Sequence, residues 1–348
     1  MKLVIIISAR QQFVKHVTLE IACKNSMETV AKHIRLHYDK EMRQVFSKEL
    51  KINLLPHYLL NLGGGIHGEQ TGKMLIQIGE ILDIENPDSV FVYSDTNSAL
   101  AGDLVAITLK VNIIYAEAGL NSLNWPCLRR SIRLLKDHVS SILFVPTYEA
   151  VNNLKKEEMT IGIFRTGDIM SDMIRIALEL IKSSEYIPEH DYYFTTIHRT
   201  NNTEAIERLT WILNSFNSLS LSVIFPSTRN KMAKFVIFEK DCSKVRFVAP
   251  KSYFNITDLL NYSNCLIADS VCMQKEAYNM KGKCVAVRSE PEWVETLTDD
   301  FKKLAFEDGE PHQHRRIIDV ERRKHRGPLY EDGYAAEDMV QMILNNLN

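Results

Sequence analysis

Two acidic residues follow apolar runs in the first half of the chain. Asp95 comes shortly after the run 90–93, and Glu117 comes directly after the run 113–116. If these runs are neighbouring parallel strands, both carboxylates lie at one edge of a sheet and face one cleft. Burial and mutual repulsion would then raise the pKa of at least one of them, which suits a general acid or base. Alternatively, Asp95 caps a helix and Glu117 is a surface charge.

Cationic residues follow other strand-like runs. Arg10 and Lys15 come after the apolar run 3–7, where a guanidinium and a lysine ammonium one helical turn further on would bind a phosphate. His198 and Arg199 follow the run 192–196 and would act as a proton carrier and a phosphate clamp. The alternatives are that the first two are surface cations and that the histidine is structural.

A further strand-like run, 265–269, ends at Ser270, where the sequence predicts the start of a helix. Ser270 and the first backbone amides of that helix would hold a phosphate, and Glu276 would accept hydrogen bonds from ribose hydroxyls. Gln274 lies on the same helix and is a further candidate for binding substrate. Capping of this helix by Asp269 or Ser270 is an alternative that is compatible with these roles.

Short β-branched runs alternate with amphipathic segments along the chain, which predicts a doubly wound α/β fold with parallel sheets. The first series of predicted strands is 2–8, 29–37, 89–94, 111–116, 141–145 and 160–165. The second series is 192–196, 220–225, 244–248, 265–269 and 283–287. A long periodic segment at 170–183, followed by Pro188, separates the two series.

We therefore predict two Rossmann-like domains with an interdomain cleft. The first domain is expected at residues 1–170 and the second at 171–332, and a last helix at 333–348 is expected to pack back on the first domain. Ligands of such sheets bind beyond the carboxyl ends of the strands, which is where the candidate residues lie.

The composition is that of a globular protein. The chain has 348 residues, of which 45% are hydrophobic and 25% charged, and its formal net charge is −2. A near-neutral chain lacks the basic surface expected for binding nucleic acid or anionic membrane. The six cysteines form no CxxC pair, and the run 3–7 is too short for a membrane span or a signal peptide. We therefore expect a cytoplasmic protein with no metal, no cofactor, no nucleic acid and no membrane partner.

Ten segments in one register resemble the non-hydrolysing UDP-N-acetylglucosamine 2-epimerase family over nearly the whole chain. The resemblance is greatest to the branch that acts on modified sugars such as UDP-diacetamido-glucuronic acid. The segments are SARQQFVK (8–15), GGGIHGEQTGKML (63–75), VYSDTNSALAG (92–102), AEAGLNS (116–122), SSILFVPT (140–147), TGDIMSD (166–172), TIHRTNNT (196–203), ADSVCMQKEA (268–277), EWVE (292–295) and YEDGYAA (330–336). The resemblance implies the glycosyltransferase-B architecture of two Rossmann-like domains and a homodimer.

The same resemblance implies a reaction, the C2 epimerisation of a UDP-N-acetyl-hexosamine-type sugar. In the family, loss of the C2 proton eliminates UDP and leaves a bound 2-acetamidoglucal, to which UDP adds back as a proton reaches the opposite face of C2. By position, Asp95 and Glu117 resemble the carboxylates that handle these protons. The N-terminal domain would bind the sugar and the C-terminal domain UDP.

Other positions that match family residues are expected to bind UDP. Arg10, His198 and Ser270 resemble ligands of the diphosphate, and His198 would also aid the leaving group. Glu276 resembles the ribose-binding glutamate, and Lys15 matches a lysine of the first family motif.

Several positions depart from the family pattern. Leu128, Arg129 and Arg130 stand where the family has Pro-Glu-Glu, so a catalytic glutamate is missing, and a guanidinium cannot remove a proton. The Ser-Gly-Gly turn reads Ser270-Val271-Cys272, which places side chains beside amides that would face a phosphate. Further departures are Gln11 for a proline, Ser94 for a glycine, Asn121 for an arginine and a shortened segment at 225–227.

These departures leave three functions open. The first is the epimerase, which we place first because Asp95, Glu117 and His198 keep their positions. The second is a catalytically impaired UDP-sugar-binding pseudoenzyme of the same family, favoured by Arg129 and Arg130. The third is a glycosyltransferase of the same architecture, which would release UDP only when an acceptor is supplied.

Overall fold

The computed structural model of the chain describes residues 1–8, 10–26, 30–35, 46, 48, 50, 57–60, 62, 66–120, 128–180, 188–227, 243–249, 251–289, 302–305 and 333–347. The chain forms two compact units, the first made of Met1–Arg175 with Leu329–Asn348 and the second of Ile176–Pro328. The division falls within one helix, a few residues beyond the sequence-based boundary at residue 170. None of the described helices combines the length and the apolar character needed to cross a membrane.

The first unit contains a parallel sheet with helices between its strands. Its described strands are β1 Lys2–Ile7, β2 Val30–Arg35, β3 Tyr58–Leu59, β4 Ser89–Tyr93, β5 Asn112–Ala116, β6 Ile142–Val145 and β7 Ile163–Arg165. The helices described in this part of the chain are α1 Arg10–Asn25, α2 His67–Glu85, α3 Asn97–Leu109, α4 Leu128–Val139, α5 Tyr148–Lys156 and α6 Ile169–Leu180.

The second unit repeats this arrangement. Its described strands are β8 Tyr192–Thr196, β9 Ser222–Pro226, β10 Val245–Val248, β11 Cys265–Ala268, β12 Cys284–Ala286 and β13 Lys302–Leu304. Its described helices are α7 Thr200–Thr203, α8 Ile206–Asn217, α9 Tyr253–Asn261 and α10 Val271–Asn279. The chain then returns to the first unit as α11, Ala335–Leu347.

The predicted doubly wound α/β fold is confirmed. The first sheet has the strand order β3-β2-β1-β4-β5-β6-β7, the second has β10-β9-β8-β11-β12-β13, and the described pairs are parallel. Every predicted strand overlaps an observed one, whereas β3 and β13 were missed because they are edge strands of two and three residues. The strand order reverses between β1 and β4 and between β8 and β11, and these reversals are where doubly wound sheets bind ligands.

The central strand β1 has an unbroken apolar sequence, and its position in the sheet explains why. Leu3, Val4 and Ile5 are fully buried, because helices cover both faces of a parallel sheet. Gly102 in α3 allows that helix to lie close to β1, since a Cβ there would meet the end of the Ile6 side chain at 2.2 Å. Thr96 caps α3 by accepting a hydrogen bond from the amide of Ala99.

A buried aspartate attaches α11 to the first unit. The Asp172 carboxylate on α6 accepts hydrogen bonds from the amides of Ala335 (3.0 Å) and Ala336 (2.7 Å), which begin α11 and have no partner inside that helix. Arg175 donates to the carbonyl of Gly333 at 2.8 Å, and its guanidinium lies over the ring of Tyr334. Burial raises the pKa of Asp172 to about 7, against the effect of the two amide bonds. The last helix is therefore tied to α6 by side chains at its first turn.

We expect Asp172→Ala to weaken this attachment. The substitution leaves two buried amides without an acceptor, which should lower the free energy of unfolding by about 1–3 kcal/mol. Urea unfolding at about pH 8, above the pKa of Asp172, measures this loss, and hydrogen exchange at Ala335 and Ala336 should accelerate. Glu337→Gln is the matched control, because this exposed residue of α11 makes only a surface ion pair with Arg175. Equal effects of both variants would contradict the assigned role of Asp172.

Candidate functional site

A buried glutamine joins the turns that follow β1 and β4 in the first unit. The Gln12 carbonyl oxygen accepts from the backbone amide of Ser8 at 2.7 Å, and its amide nitrogen donates to the carbonyl of Tyr93 at 2.8 Å. It also donates to the hydroxyl of Thr96, the residue that caps α3. Sequence reasoning did not single out Gln12, which fixes the strand-end geometry at the reversal point of the sheet.

Glu117 lies at the carboxyl end of β5 and is buried, so its alternative interpretation as a surface charge is wrong. Its backbone is in the left-handed region (φ 69°), which non-glycine residues adopt rarely. The ammonium of Lys15, itself only 4% exposed, forms an ion pair with the Glu117 carboxylate. The Ser94 hydroxyl donates to the same carboxylate at 2.7 Å. Lys15 is therefore a buried partner of Glu117, and the alternative that it is a surface cation is also wrong.

Asp95 has a different cation. Nη2 of Arg133, on α4, lies 3.2 Å from Oδ2 of Asp95, and Nη1 of the same guanidinium donates to the carbonyl of Leu120 at 2.7 Å. The Asp95 Oδ2 atom is itself buried and accepts no well-aligned hydrogen bond from the described residues, so the charge of Arg133 compensates it there. Each carboxylate thus has its own cation, which offsets the mutual repulsion that the sequence predicted. Sequence reasoning missed Arg133, and the only available signal was its position on a basic helix.

The register of β4 and β5 brings these acids together. Tyr93 pairs with Ala116, so Ser94 is level with Glu117 and Asp95 lies one residue further on. Ser94 also has a left-handed backbone (φ 51°), and the Lys15 ammonium lies 3.2 Å from its hydroxyl. The first unit therefore gathers two carboxylates, a hydroxyl and two cations at one sheet edge.

In the second unit, Asp269 organises the turn that contains His198 and Arg199. Its carboxylate accepts hydrogen bonds from the backbone amides of His198 (3.0 Å) and Arg199 (2.8 Å) and from the side-chain amide of Asn202 (2.9 Å). The side chains of His198 and Arg199 are exposed. The expectation that Asp269 caps α10 is wrong, because its oxygens are used by the neighbouring strand end.

The first turn of α10 carries no side-chain cap. Ser270 occupies the N-cap position, but its hydroxyl makes no capping hydrogen bond, so that expectation is also wrong. The first amides of a helix have no partner inside the helix, and such amides are the usual place where a helix binds an anion. Gln274 and Glu276 lie on the same helix and are buried, and the Gln274 amide donates to the carbonyl of Ala268 at 3.2 Å.

Burial shifts the pKa of the Glu276 carboxyl upward. It raises the pKa of this carboxyl to about 8, and the nearby Tyr253 hydroxyl offsets this only in part. Glu276 is therefore largely a neutral carboxylic acid near pH 7, which can donate one hydrogen bond as well as accept others.

Some predicted site residues cannot be compared in this way. Arg10 lies in the first turn of α1, and Arg129 and Arg130 lie in the first turn of α4, but their side chains are outside the described part of the structure. Asn121 and the glycines at 63–65 also lie outside the described residues.

Comparison with known proteins gives a consistent result. The profile of the family described as UDP-N-acetylglucosamine 2-epimerase matches residues 20–344. A UDP-N-acetylglucosamine 2-epimerase homolog of Methanococcus maripaludis is 40% identical over 316 residues, which are 87% of this chain and 88% of that protein. A UDP-2,3-diacetamido-2,3-dideoxy-D-glucuronate 2-epimerase of Pseudomonas aeruginosa is 35% identical over 310 residues, 86% of each chain.

A solved structure extends the similarity to the fold. The crystal structure of Methanocaldococcus jannaschii UDP-GlcNAc 2-epimerase in complex with UDP-GlcNAc and UDP aligns with a TM-score of 0.86 at 30% identity. The alignment covers 99% of this chain and 100% of that one. Two parallel doubly wound units of this kind define the glycosyltransferase-B class of fold. The chain belongs to the UDP-N-acetylglucosamine 2-epimerase family.

The raised pKa of Glu276 predicts how stability depends on pH. The folded state holds this proton up to about pH 8, whereas the unfolded chain releases it near 4.5. The stabilisation of the folded state by this proton is therefore complete below about pH 4.5, and it is lost as the pH rises through about 8. At about 1.4 kcal/mol for each pKa unit, the loss is on the order of 5 kcal/mol.

Urea unfolding between about pH 5 and about pH 9 tests this linkage. We expect Glu276→Gln to make the decline in unfolding free energy shallower, above all between about pH 7 and about pH 8, because the amide does not titrate and the raised pKa values of Asp172 and Asp103 act at lower pH. Glu207→Gln, at an exposed position on α8, should keep the decline of the unsubstituted protein. If the unfolding free energy of Glu276→Gln declined with pH in parallel with that of the unsubstituted protein, the raised pKa of Glu276 would be contradicted.

Proposed function

We propose that the protein epimerises C2 of a UDP-N-acetyl-hexosamine-type sugar. A base takes the C2 proton, the C1–C2 double bond forms as the C1–O bond breaks, and UDP departs with that bonding pair. UDP then adds back to the 2-acetamidoglucal while an acid delivers a proton to the opposite face of C2. Relatives named as UDP-sugar 2-epimerases support this general activity.

The observation that carries the proposal is the pair of carboxylates at adjacent strand ends. Asp95 and Glu117 follow the adjacent strands β4 and β5 and are offset by one residue, and each lies beside a cation. Epimerisation needs one group that removes a proton from C2 and another that returns one, and two carboxylates fixed at one edge can divide these roles.

We assign UDP to the second unit. The uncapped N-terminus of α10 offers Ser270 and backbone amides to the diphosphate, and Asp269 fixes the nearby turn that carries His198 and Arg199. His198 would protonate the departing diphosphate oxygen, and Arg199 would neutralise its charge. Glu276 and Gln274 would bind the ribose, since a neutral Glu276 can donate to one hydroxyl and accept from another.

Arg10 and Lys15 are assigned to the sugar-diphosphate end of the substrate. Both follow β1 at the reversal point of the first sheet. The ion pair of Lys15 with Glu117 supports a double use, in which the ammonium balances the glutamate and attracts the anionic ligand. The reaction needs no group besides these residues and UDP itself, so we propose no metal and no cofactor.

Solvent exchange tests the reaction directly. In deuterium oxide, proton NMR of UDP-GlcNAc or of UDP-2,3-diacetamido-2,3-dideoxy-D-glucuronate should show deuterium entering C2. Asp95→Asn and Glu117→Gln should each slow this exchange by about 100-fold or more, because each removes a proton-handling group. Glu149→Gln, at an exposed position on α5, should keep the rate. Full exchange in both site variants would contradict the proposed roles.

The pseudoenzyme is the second candidate, and the pair Arg129–Arg130 favours it. If calorimetry detects UDP binding while no UDP-acetamido sugar exchanges deuterium, this candidate replaces the first. Turnover gained by the double substitution Arg129→Glu/Arg130→Glu would then identify the charge reversal as the cause of the lost activity.

We also propose that the protein is a homodimer, as the family resemblance implies. Adjacent helices of the first unit expose large apolar side chains. They are Ile76 and Ile84 of α2, Leu104 and Ile107 of α3, and Leu135 of α4. Several large exposed apolar side chains on adjacent helices often mark a protein interface, and a second copy of the chain is the partner we assign to this one.

Light scattering coupled to gel filtration tests this assembly. We expect the double substitution Ile76→Glu/Ile107→Glu to give a monomer, because it places charges in the proposed apolar interface. Ile161→Glu is the control, because Ile161 is 88% exposed but lies outside these helices. A monomeric unsubstituted protein, or a dimer that survives the double substitution, would overturn the assignment.

The cytoplasm is the location that we propose. Cys23, Cys265 and Cys284 are buried free thiols, and burial raises the pKa of the first two to about 12. Unpaired buried thiols are typical of proteins in a reducing compartment.

A further inference from the structure

Lys136 on α4 is a lysine that no solvent reaches. Its ammonium donates to the backbone carbonyl of Ser94 at 2.6 Å. It also lies 3.8 Å from Oδ2 of Asp103 and 4.0 Å from the centre of the Tyr115 ring. A buried ammonium is costly unless charges and hydrogen bonds compensate it, so this arrangement needs a reason.

Asp103 on α3 is the nearest acid to this ammonium. It is fully buried, and neither of its carboxylate oxygens has a hydrogen bond from the described residues, so the attraction to Lys136 is its main compensation there. Burial raises the pKa of Asp103 to about 6 and lowers that of Lys136, and each group opposes the shift of the other. The two residues are therefore a mutually dependent pair.

The carbonyl that Lys136 binds belongs to the residue that positions both candidate acids. Ser94 has a left-handed backbone, and its hydroxyl donates to Glu117. The next residue, Asp95, pairs with Arg133, which lies one turn before Lys136 on α4. Rotation of the peptide after Ser94 would move the Asp95 side chain and the Ser94 hydroxyl together.

The same helix also holds the turn after β5. Asp137, next to Lys136, accepts a hydrogen bond from the amide of Gly119 at 3.3 Å, and Arg133 donates to the carbonyl of Leu120. Three polar residues of α4 thus bind the backbone or side chains of the two turns that present Asp95 and Glu117.

We propose that Lys136, compensated by Asp103, is a positioning residue that fixes the Ser94 peptide and thereby sets the distance between the two proton-handling carboxylates. It touches no substrate in this role. The inference rests on the proposed function, because positioning matters only if Asp95 and Glu117 carry the reaction.

Removing the charges of Lys136 and Asp103 together tests whether this pair positions the turn or only stabilises the fold. Lys136→Met and Asp103→Leu alone each leave one buried charge without its partner, so each should lower the urea midpoint, and the double substitution should regain most of that loss. We expect the double variant to remain folded, to exchange the amides of residues 94–96 with solvent at least about 10-fold faster, and to lose about 10-fold or more in kcat with KM nearly unchanged. The double substitution Lys2→Met/Glu85→Leu is the control, because it removes a partly buried ion pair at the opposite end of the sheet.

Two outcomes overturn the inference. One is a folded double variant that has the kcat of the unsubstituted protein and unchanged amide exchange at residues 94–96. The other is an equal loss of kcat in the control variant. Absence of turnover in the unsubstituted protein would contradict the proposed function instead, and the exchange rates at residues 94–96 would still decide whether Lys136 orders this turn.

Discussion

A carboxylate that is taken out of water must be compensated by hydrogen bonds or by a cation, and three ion pairs do this in the first unit. Glu117 is paired with Lys15, Asp95 with Arg133, and Asp103 with Lys136. Because such pairs are stable only when their geometry is good, the surrounding backbone has little freedom. The two turns after β4 and β5 are consequently held by charge as much as by packing, and their acids occupy defined positions.

Two of the departures from the family pattern, Ser94 and Val271, lie in the described part of the structure. Ser94 replaces a glycine at a backbone position with φ 51°, where serine is strained, yet its hydroxyl gains Glu117 as an acceptor. Val271 replaces a glycine in the first turn of α10, but the N-terminus of that helix still lacks a side-chain cap. Both changes lie beside residues that the sequence predicted for the site.

Much of this arrangement could be predicted from the sequence. Unbroken apolar runs mark strands that are buried on both faces, and a polar residue after such a run must lie at the carboxyl end of a strand, so Asp95 and Glu117 could be predicted. Arg133 and Lys136 could not, because the segment LRRSIRLLKDHV reads as an amphipathic helix with a solvated basic face, and only tertiary structure decides which cations turn inward. The same holds for Asp269, whose partners lie just after a strand, about 70 residues earlier in the chain.

The attachment of α11 to α6 and its packing on α1 have a consequence for how the chain is made. A ribosome releases the residues of the second unit before it releases α11. The first unit is therefore translated first but completed last. The helix α11, which packs on α1 and carries the amides that Asp172 binds, emerges only after residue 333. During synthesis, the surface of α1 and α6 that α11 covers therefore stays exposed to chaperones that bind nascent chains. The second unit can fold as soon as its own strands have left the ribosome.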